Sequence, residues 1–178
     1  MNIDLKRGKE FTAGTAGRER TTSAAWALVA AILASSMAFI DQSALNVALP
    51  AIQSSLQALG SELLWIINGY TLMLASFILV GGSLGDRLGR KRIFMTGIGL
   101  FAISSLACGL APSVGFLIGA RIVQGIGGAL MVPGSLTIIS ASYSPERRGT
   151  AIGTWSAVTT ITMVAGPVMG GFLAEAGL

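Results

Sequence analysis

The chain has 178 residues, of which 52% are hydrophobic and only 11% charged, with a net charge of +4 and no histidine. A mean hydropathy of +0.72 and long uncharged runs exclude an ordinary soluble domain, which carries about a quarter charged residues. Without histidine the usual metal ligand and neutral-pH proton carrier are missing, and a single Cys108 offers no disulfide framework.

A bilayer core of about 30 Å takes roughly 20 helical residues to cross. Five stretches have that length and lack of charge: about 24–49, 63–84, 93–111, 114–140 and 150–176. Barrel strands would be shorter and alternating, so these spans are expected to be helices, which satisfy their own backbone polar groups in lipid. The expected fold class is all-α: a polytopic membrane helical bundle of five transmembrane helices.

Ahead of the first span, residues 1–23 mix glycine, threonine and charges and are expected to be a disordered tail. A secretory signal does not fit, because the apolar run is too long and contains Asp41. That carboxylate stands in Phe39-Ile40-Asp41-Gln42-Ser43-Ala44-Leu45-Asn46-Val47-Ala48-Leu49-Pro50, about eight residues from the outer end and so ~12 Å deep at 1.5 Å per residue. Span two is free of charge; its Asn68-Gly69 pair would mark a hairpin in a soluble chain but is expected here to be a helical kink or a polar cavity lining.

Between spans two and three lies Gly82-Ser83-Leu84-Gly85-Asp86-Arg87-Leu88-Gly89-Arg90-Lys91-Arg92. Gly85 and Gly89 would permit a tight turn and close helix approach. Asp86, a lone acid among four bases, can cap a helix or hold an arginine. A simple basic retention signal would need no acid between glycines. The run resembles the signature loop between the second and third helices of the major facilitator superfamily, through Gly82, Leu84, Gly85, Asp86, Arg87, Gly89, Arg90 and Lys91. The resemblance implies a loop that gates the cytoplasmic side as two halves of a transporter rock.

In span three, Gly97-Ile-Gly99-Leu-Phe-Ala102 matches a dinucleotide-binding pattern, but no strand precedes it, so packing is the expected role. Span four carries Arg121 inside an apolar helix, ~11 Å from the outer end, with Gln124 three residues on and Gly125, Gly127 and Gly128 following. A charge at such depth is functional or paired by default, whereas a snorkelling arginine would not ask for Gln124. The segment resembles the superfamily's fourth-helix motif. Asp41 and Arg121 lie at similar depth and are expected to pair or share a polar network.

The stretch from Asp41 to Pro50, with Asn46 within it, is similar to the first-helix motif of the superfamily's 14-helix drug:proton antiporter branch; Ser43, Ala44 and Leu45 depart from it mildly. Span five holds Gly153, then Gly166, Pro167, Gly170 and Gly171, which resembles that branch's antiporter motif, with Thr162 where a further glycine is usual. Proline kinks such a helix and the glycines offer a packing face.

Eleven of the twelve Lys and Arg fall in the tail, the 82–92 connection and Arg147-Arg148, all on one side of the expected membrane. The positive-inside rule makes that side cytoplasmic, including the N-terminus. Trp26, Tyr143 and Trp155 near inner ends, and Trp65 near an outer end, agree. This distribution speaks against nucleic acid as a partner.

The expected function is thus a proton-coupled secondary transporter of the cell membrane, a multidrug efflux antiporter. Asp41, Arg121, Gln124 and Asn46 would line its proton-coupling cavity, because a cationic or amphipathic substrate and a proton would compete for Asp41. The expected partners are the bilayer, substrate and protons. The superfamily needs twelve or fourteen helices built from three-helix repeats, so five spans are expected to be incomplete and inactive without further C-terminal helices or a second chain. A facilitator of sugars or metabolites, and a small non-transporting protein that pairs with a larger partner, are the alternatives. With no nucleophile–base set and no metal cluster, an enzyme is not expected, nor a cofactor.

Overall fold

The computed structural model describes the backbone of residues 3–175, and side chains for residues 23–165 and Pro167. The stretch expected as a disordered tail, residues 1–23, is instead helical from Ile3 as the first part of α1, and its side chains fall almost wholly outside the described ones. Among the described residues the chain is five helices without strands: α1 (Ile3–Leu56), α2 (Gly60–Leu88), α3 (Arg90–Gly109), α4 (Val114–Ser142) and α5 (Pro145–Glu175). Four stretches, Ser23–Leu56, Gly60–Leu88, Arg90–Gly109 and Val114–Ser142, are long and apolar enough to cross a membrane. α5 occupies the fifth expected span, and its second half lies largely outside the described side chains.

The helices outrun the apolar stretches that announced them. α1 passes through Pro50 to Leu56, and α2 runs on through Gly82, Gly85, Asp86 and Arg87 to Leu88. Leu, Arg and Ala sustain a helix in water as well as in lipid, so loss of hydropathy does not end it. The starts are set by local bonds instead. The Glu62 carboxylate accepts from the Leu59 N–H at 2.8 Å before α2, Ser113 Oγ accepts from the Phe116 N–H before α4, and the Ser144 carbonyl accepts from the Arg147 and Arg148 N–H groups before α5. These bonds satisfy amides that a helix leaves free at its N-terminus.

The connection expected as a glycine hairpin is therefore a single-residue break. Gly89, at φ +100°, ends α2 and starts α3, a conformation L side chains rarely adopt. A Cβ at Gly82 would meet nothing within 4 Å, and one at Gly85 would meet only the Arg90 Cα, at 3.9 Å. The close approach expected of these glycines belongs to Gly81, against the Ala129 carbonyl of α4. Pro133 lacks the N–H that would have bonded that carbonyl four residues back. Asn68-Gly69 sits inside continuous α2, with Gly69 against the Ile122 side chain.

α4 is the hub. It touches all four other helices, most broadly α2 and α3, while α5 packs chiefly on α1. Glycines make the closeness possible: a Cβ at Gly127 would stand 2.7 Å from the Phe101 amide nitrogen, and one at Gly97 would stand 2.9 Å from that of Met131. Gly97 thus has the packing role expected of it, whereas Gly99 has open space around it. Tyr70, Phe94, Phe101 and Met131 form the central buried cluster with Ala34 and Ala38. The outside is apolar too: Leu79, Ile103, Leu106, Leu110 and Val164 are largely exposed, as suits a surface solvated by lipid.

Candidate functional site

Short connections make successive helices run in opposite directions, so α1 and α4 carry Asp41 and Arg121 to the same level from far apart in sequence. The structure joins them. Arg121 Nη1 donates to Asp41 Oδ2 at 2.5 Å and to Gln124 Oε1 at 2.6 Å, and Gln124 Nε2 donates to Asp41 Oδ1 at 2.7 Å. The three side chains close a ring in which every carboxylate oxygen of Asp41 has a donor. Gln124 suits this place because an amide offers both an acceptor to the arginine and a donor to the acid; a glutamate would add a second negative charge.

The ring is dry on the α4 side. Arg121 is 2% exposed and Gln124 fully buried, while the Asp41 side chain retains 17%. A buried pair of this kind is weak evidence of stability, but removing one partner leaves an uncompensated charge and costs about 3–5 kcal/mol. α2 supplies further contacts to the arginine. The Ile66 carbonyl accepts from Nε at 3.5 Å, and the Tyr70 ring faces the guanidinium, with Cζ 4.5 Å from its centroid. Cys108 of α3 donates its thiol to Gln124 Oε1 at 3.7 Å. Two buried donors near the ring, Arg121 Nη2 and Gln42 Nε2, have no partner among the described residues.

Asn46 lies on an exposed part of α1, away from this ring; five residues on from Asp41, it points to another face of the helix. Tyr70, Cys108 and the Ile66 carbonyl escaped the sequence reading. Nothing in an uncharged run distinguishes a tyrosine that packs from one that faces a charge, although the spacing of Ile66 and Tyr70 places both on one face of α2.

A second polar seam joins α1 to its neighbours. Ser35 Oγ donates to Ser135 Oγ of α4 at 3.2 Å and accepts from Trp155 Nε1 of α5 at 3.1 Å. Ser36 and Thr162 hydroxyls lie 3.3 Å apart, and Ser43 donates to the Met163 carbonyl at 3.2 Å. Thr162, which stands where a glycine is usual in the motif, thus makes a contact of its own. Gly153 faces open space and Pro167 is inside α5; Gly166, Gly170 and Gly171 lie outside the described side chains.

At the α2–α3 break, Asp86 accepts from Arg90 Nε and Nη2 at 3.2 and 3.1 Å, both residues well exposed. The pair spans Gly89 and links the two helices. Arg87, Lys91 and Arg92 beside it are exposed. At the start of α5, Glu146 is held below the usual carboxylate range by a hydrogen bond from its own backbone N–H and by the Ser144 side chain.

Residues 31–177 match the family model described as Major Facilitator Superfamily. The chain is similar to the methylenomycin A resistance protein of Streptomyces coelicolor, 41% identical over 79% of this chain and 30% of that protein. It is similar to the tetracenomycin C resistance and export protein of Streptomyces glaucescens, 38% identical over 83% of this chain and 28% of that protein. The methyl viologen resistance protein SmvA of Salmonella typhimurium is 42% identical over 76% of this chain and 28% of its own length. Among solved structures, a bacterial homologue of the human lysosomal transporter Spinster, inward-facing and occupied, superimposes with a TM-score of 0.76 at 27% identity, over 85% of this chain and 33% of that one. The chain thus spans about 30% of the length of the curated relatives it matches.

Proposed function

The chain belongs to the major facilitator superfamily of membrane transporters, and on that premise we propose that it forms the first helices of a proton-coupled drug exporter of the 14-helix antiporter branch, in the cell membrane. The activity is proposed for a full-length polypeptide that contains this chain. Several matched relatives carry resistance or export in their names, which favours export of small amphipathic or cationic compounds over uptake of metabolites.

The observation that carries the proposal is the buried ring of Asp41, Arg121 and Gln124. Its carboxylate is held between a permanent cation and an amide and remains 17% exposed. A proton arriving at Asp41 forms one O–H bond and removes the charge that holds Arg121. A cationic substrate favours the ionised form. The two cannot be accommodated equally, so binding one expels the other, and alternation across the membrane makes export depend on proton entry. Asp41, Arg121 and Gln124 carry this role in the proposal; Asn46 has a secondary place on the outward stretch of α1.

The basic residues beside the α2–α3 break, with Arg147 and Arg148, favour a cytoplasmic position for that end and for the N-terminus, where the Asp86–Arg90 pair would hold α2 to α3 as the halves move. Dye efflux from cells expressing the full-length transporter tests the coupling. Asp41→Asn should lower efflux at least about tenfold, and collapsing the proton gradient should lower the parent's efflux to that level. Unchanged, gradient-driven efflux by Asp41→Asn would remove Asp41 from the mechanism.

A further inference from the structure

Arg121 keeps its positive charge at every accessible pH, so something other than Asp41 has to keep it in place when a proton neutralises that acid. Tyr70 is placed to do so. Its ring is 4% exposed, presents its face to the guanidinium at 4.5 Å, and is backed edge-on by Phe101, with centroids 6.4 Å apart and planes at 86°. The negative face of an aromatic ring attracts a cation most strongly where water is excluded.

The glycines after Arg121 explain how the ring reaches it. A Cβ at Gly128 would stand 3.1 Å from the Tyr70 hydroxyl oxygen, and one at Gly125 would collide with the Tyr70 carbonyl. Gly125 and Gly128, one and two turns beyond the arginine, therefore leave room in α4 for the backbone and the hydroxyl of Tyr70, with Leu74 also against Gly128, while Gly127 between them makes room for Phe101 of α3. A tyrosine that merely filled the core could turn its edge to Arg121 or lie a turn away.

We infer that Tyr70 is a positioning residue of the coupling site, a proposal that rests on Asp41 being the proton-coupling acid. Its ring retains the Arg121 guanidinium when Asp41 is protonated. In the charged state Arg121 is shared between Asp41, Gln124, the Ile66 carbonyl and the ring. On protonation an O–H bond forms at an Asp41 carboxyl oxygen, no other covalent bond changes, and the last three contacts remain. Without the ring the protonated state, in which the arginine has no counter-charge, loses more than the paired state does. Protonation then requires more acid. The other titratable group facing the ring of side chains is Cys108 of α3; the described charged residues of α5, Glu146, Arg147 and Arg148, sit in its first turn.

The test is the pH dependence of binding of a fluorescent cationic dye such as ethidium by the purified full-length transporter. Tyr70→Leu should move the midpoint to about tenfold higher proton concentration, and Tyr70→Phe, which restores a ring face, should bring it back towards the parent. A polyfluorinated phenylalanine in place of Tyr70 keeps the shape but reverses the polarity of the face, so it should shift the midpoint as Tyr70→Leu does even if that variant folds poorly. An unmoved midpoint with the fluorinated ring, or equal shifts for Tyr70→Phe and Tyr70→Leu, would overturn the proposal while leaving the role of Asp41 standing. If Asp41→Asn retains the parent's pH dependence, the coupling role of Asp41 falls, and this proposal with it.

Discussion

At the scale of single residues, the ring around Arg121 is held by complementarity of donors and acceptors rather than by hydrophobic packing. Arg121 Nη1 serves two acceptors and Gln124 serves both neighbours, so the loss of one member strands the others. Asp41→Ala should destabilise the full-length protein in detergent by about 3–5 kcal/mol. Asp41→Leu combined with Arg121→Met should cost less than the two changes separately, with a coupling of about 1–3 kcal/mol in a thermal or denaturant double-mutant cycle. Additive effects would mean that the pair is not energetically joined. Asp41, Arg121 and Gln124 were legible in the sequence because polar groups in an uncharged helix demand a reason. Tyr70 and Cys108 were not, because their composition is that of ordinary core and only the facing of α2 and α3 towards α4 gives them a place beside the arginine.

At the scale of helices, the number of elements followed from the apolar runs, but their ends did not. Asp86 and Arg87 looked like loop because they are charged, yet they continue α2, and the turn shrinks to Gly89. Hydropathy reports where lipid ends, whereas a helix ends where its hydrogen-bond ladder is interrupted. Nor could the sequence say which of many glycines mark close approach. Gly81, Gly97 and Gly127 lie against neighbouring backbone, while Gly82, Gly99 and Gly153 have open space. Gly127→Ala should therefore destabilise the α3–α4 contact by about 1–3 kcal/mol, because the Phe101 backbone it meets cannot swing aside. Gly99→Ala should stay within about 0.5 kcal/mol of the parent. Thermal unfolding of the two variants side by side decides this; similar effects would mean that α3 and α4 are not in such close contact.

At the scale of the whole molecule, the exterior is lipid-facing along most of its length, and charge collects at one end. The Asp86–Arg90 pair, Lys91, Arg92, Arg147 and Arg148 stand at that end, and Ser61 and Trp65 at the other. In the proposed orientation, a cysteine at Arg92→Cys should react with a membrane-impermeant maleimide only when the cytoplasmic face is open to it, and one at Ser61→Cys should react from outside intact cells; the reverse pattern would invert the topology. The polar seam from Ser35 to Trp155 and the Arg121 ring both run through α1, so α1 is hydrogen-bonded to α4 and α5 together.

The central claim is that proton and substrate compete for Asp41, and proton release on binding measures it most directly. Saturating substrate added to the purified full-length transporter in weakly buffered solution, at a pH where the acid is partly protonated, should release up to about one proton per transporter, and Asp41→Asn should release none. The same release from parent and Asp41→Asn would contradict the account.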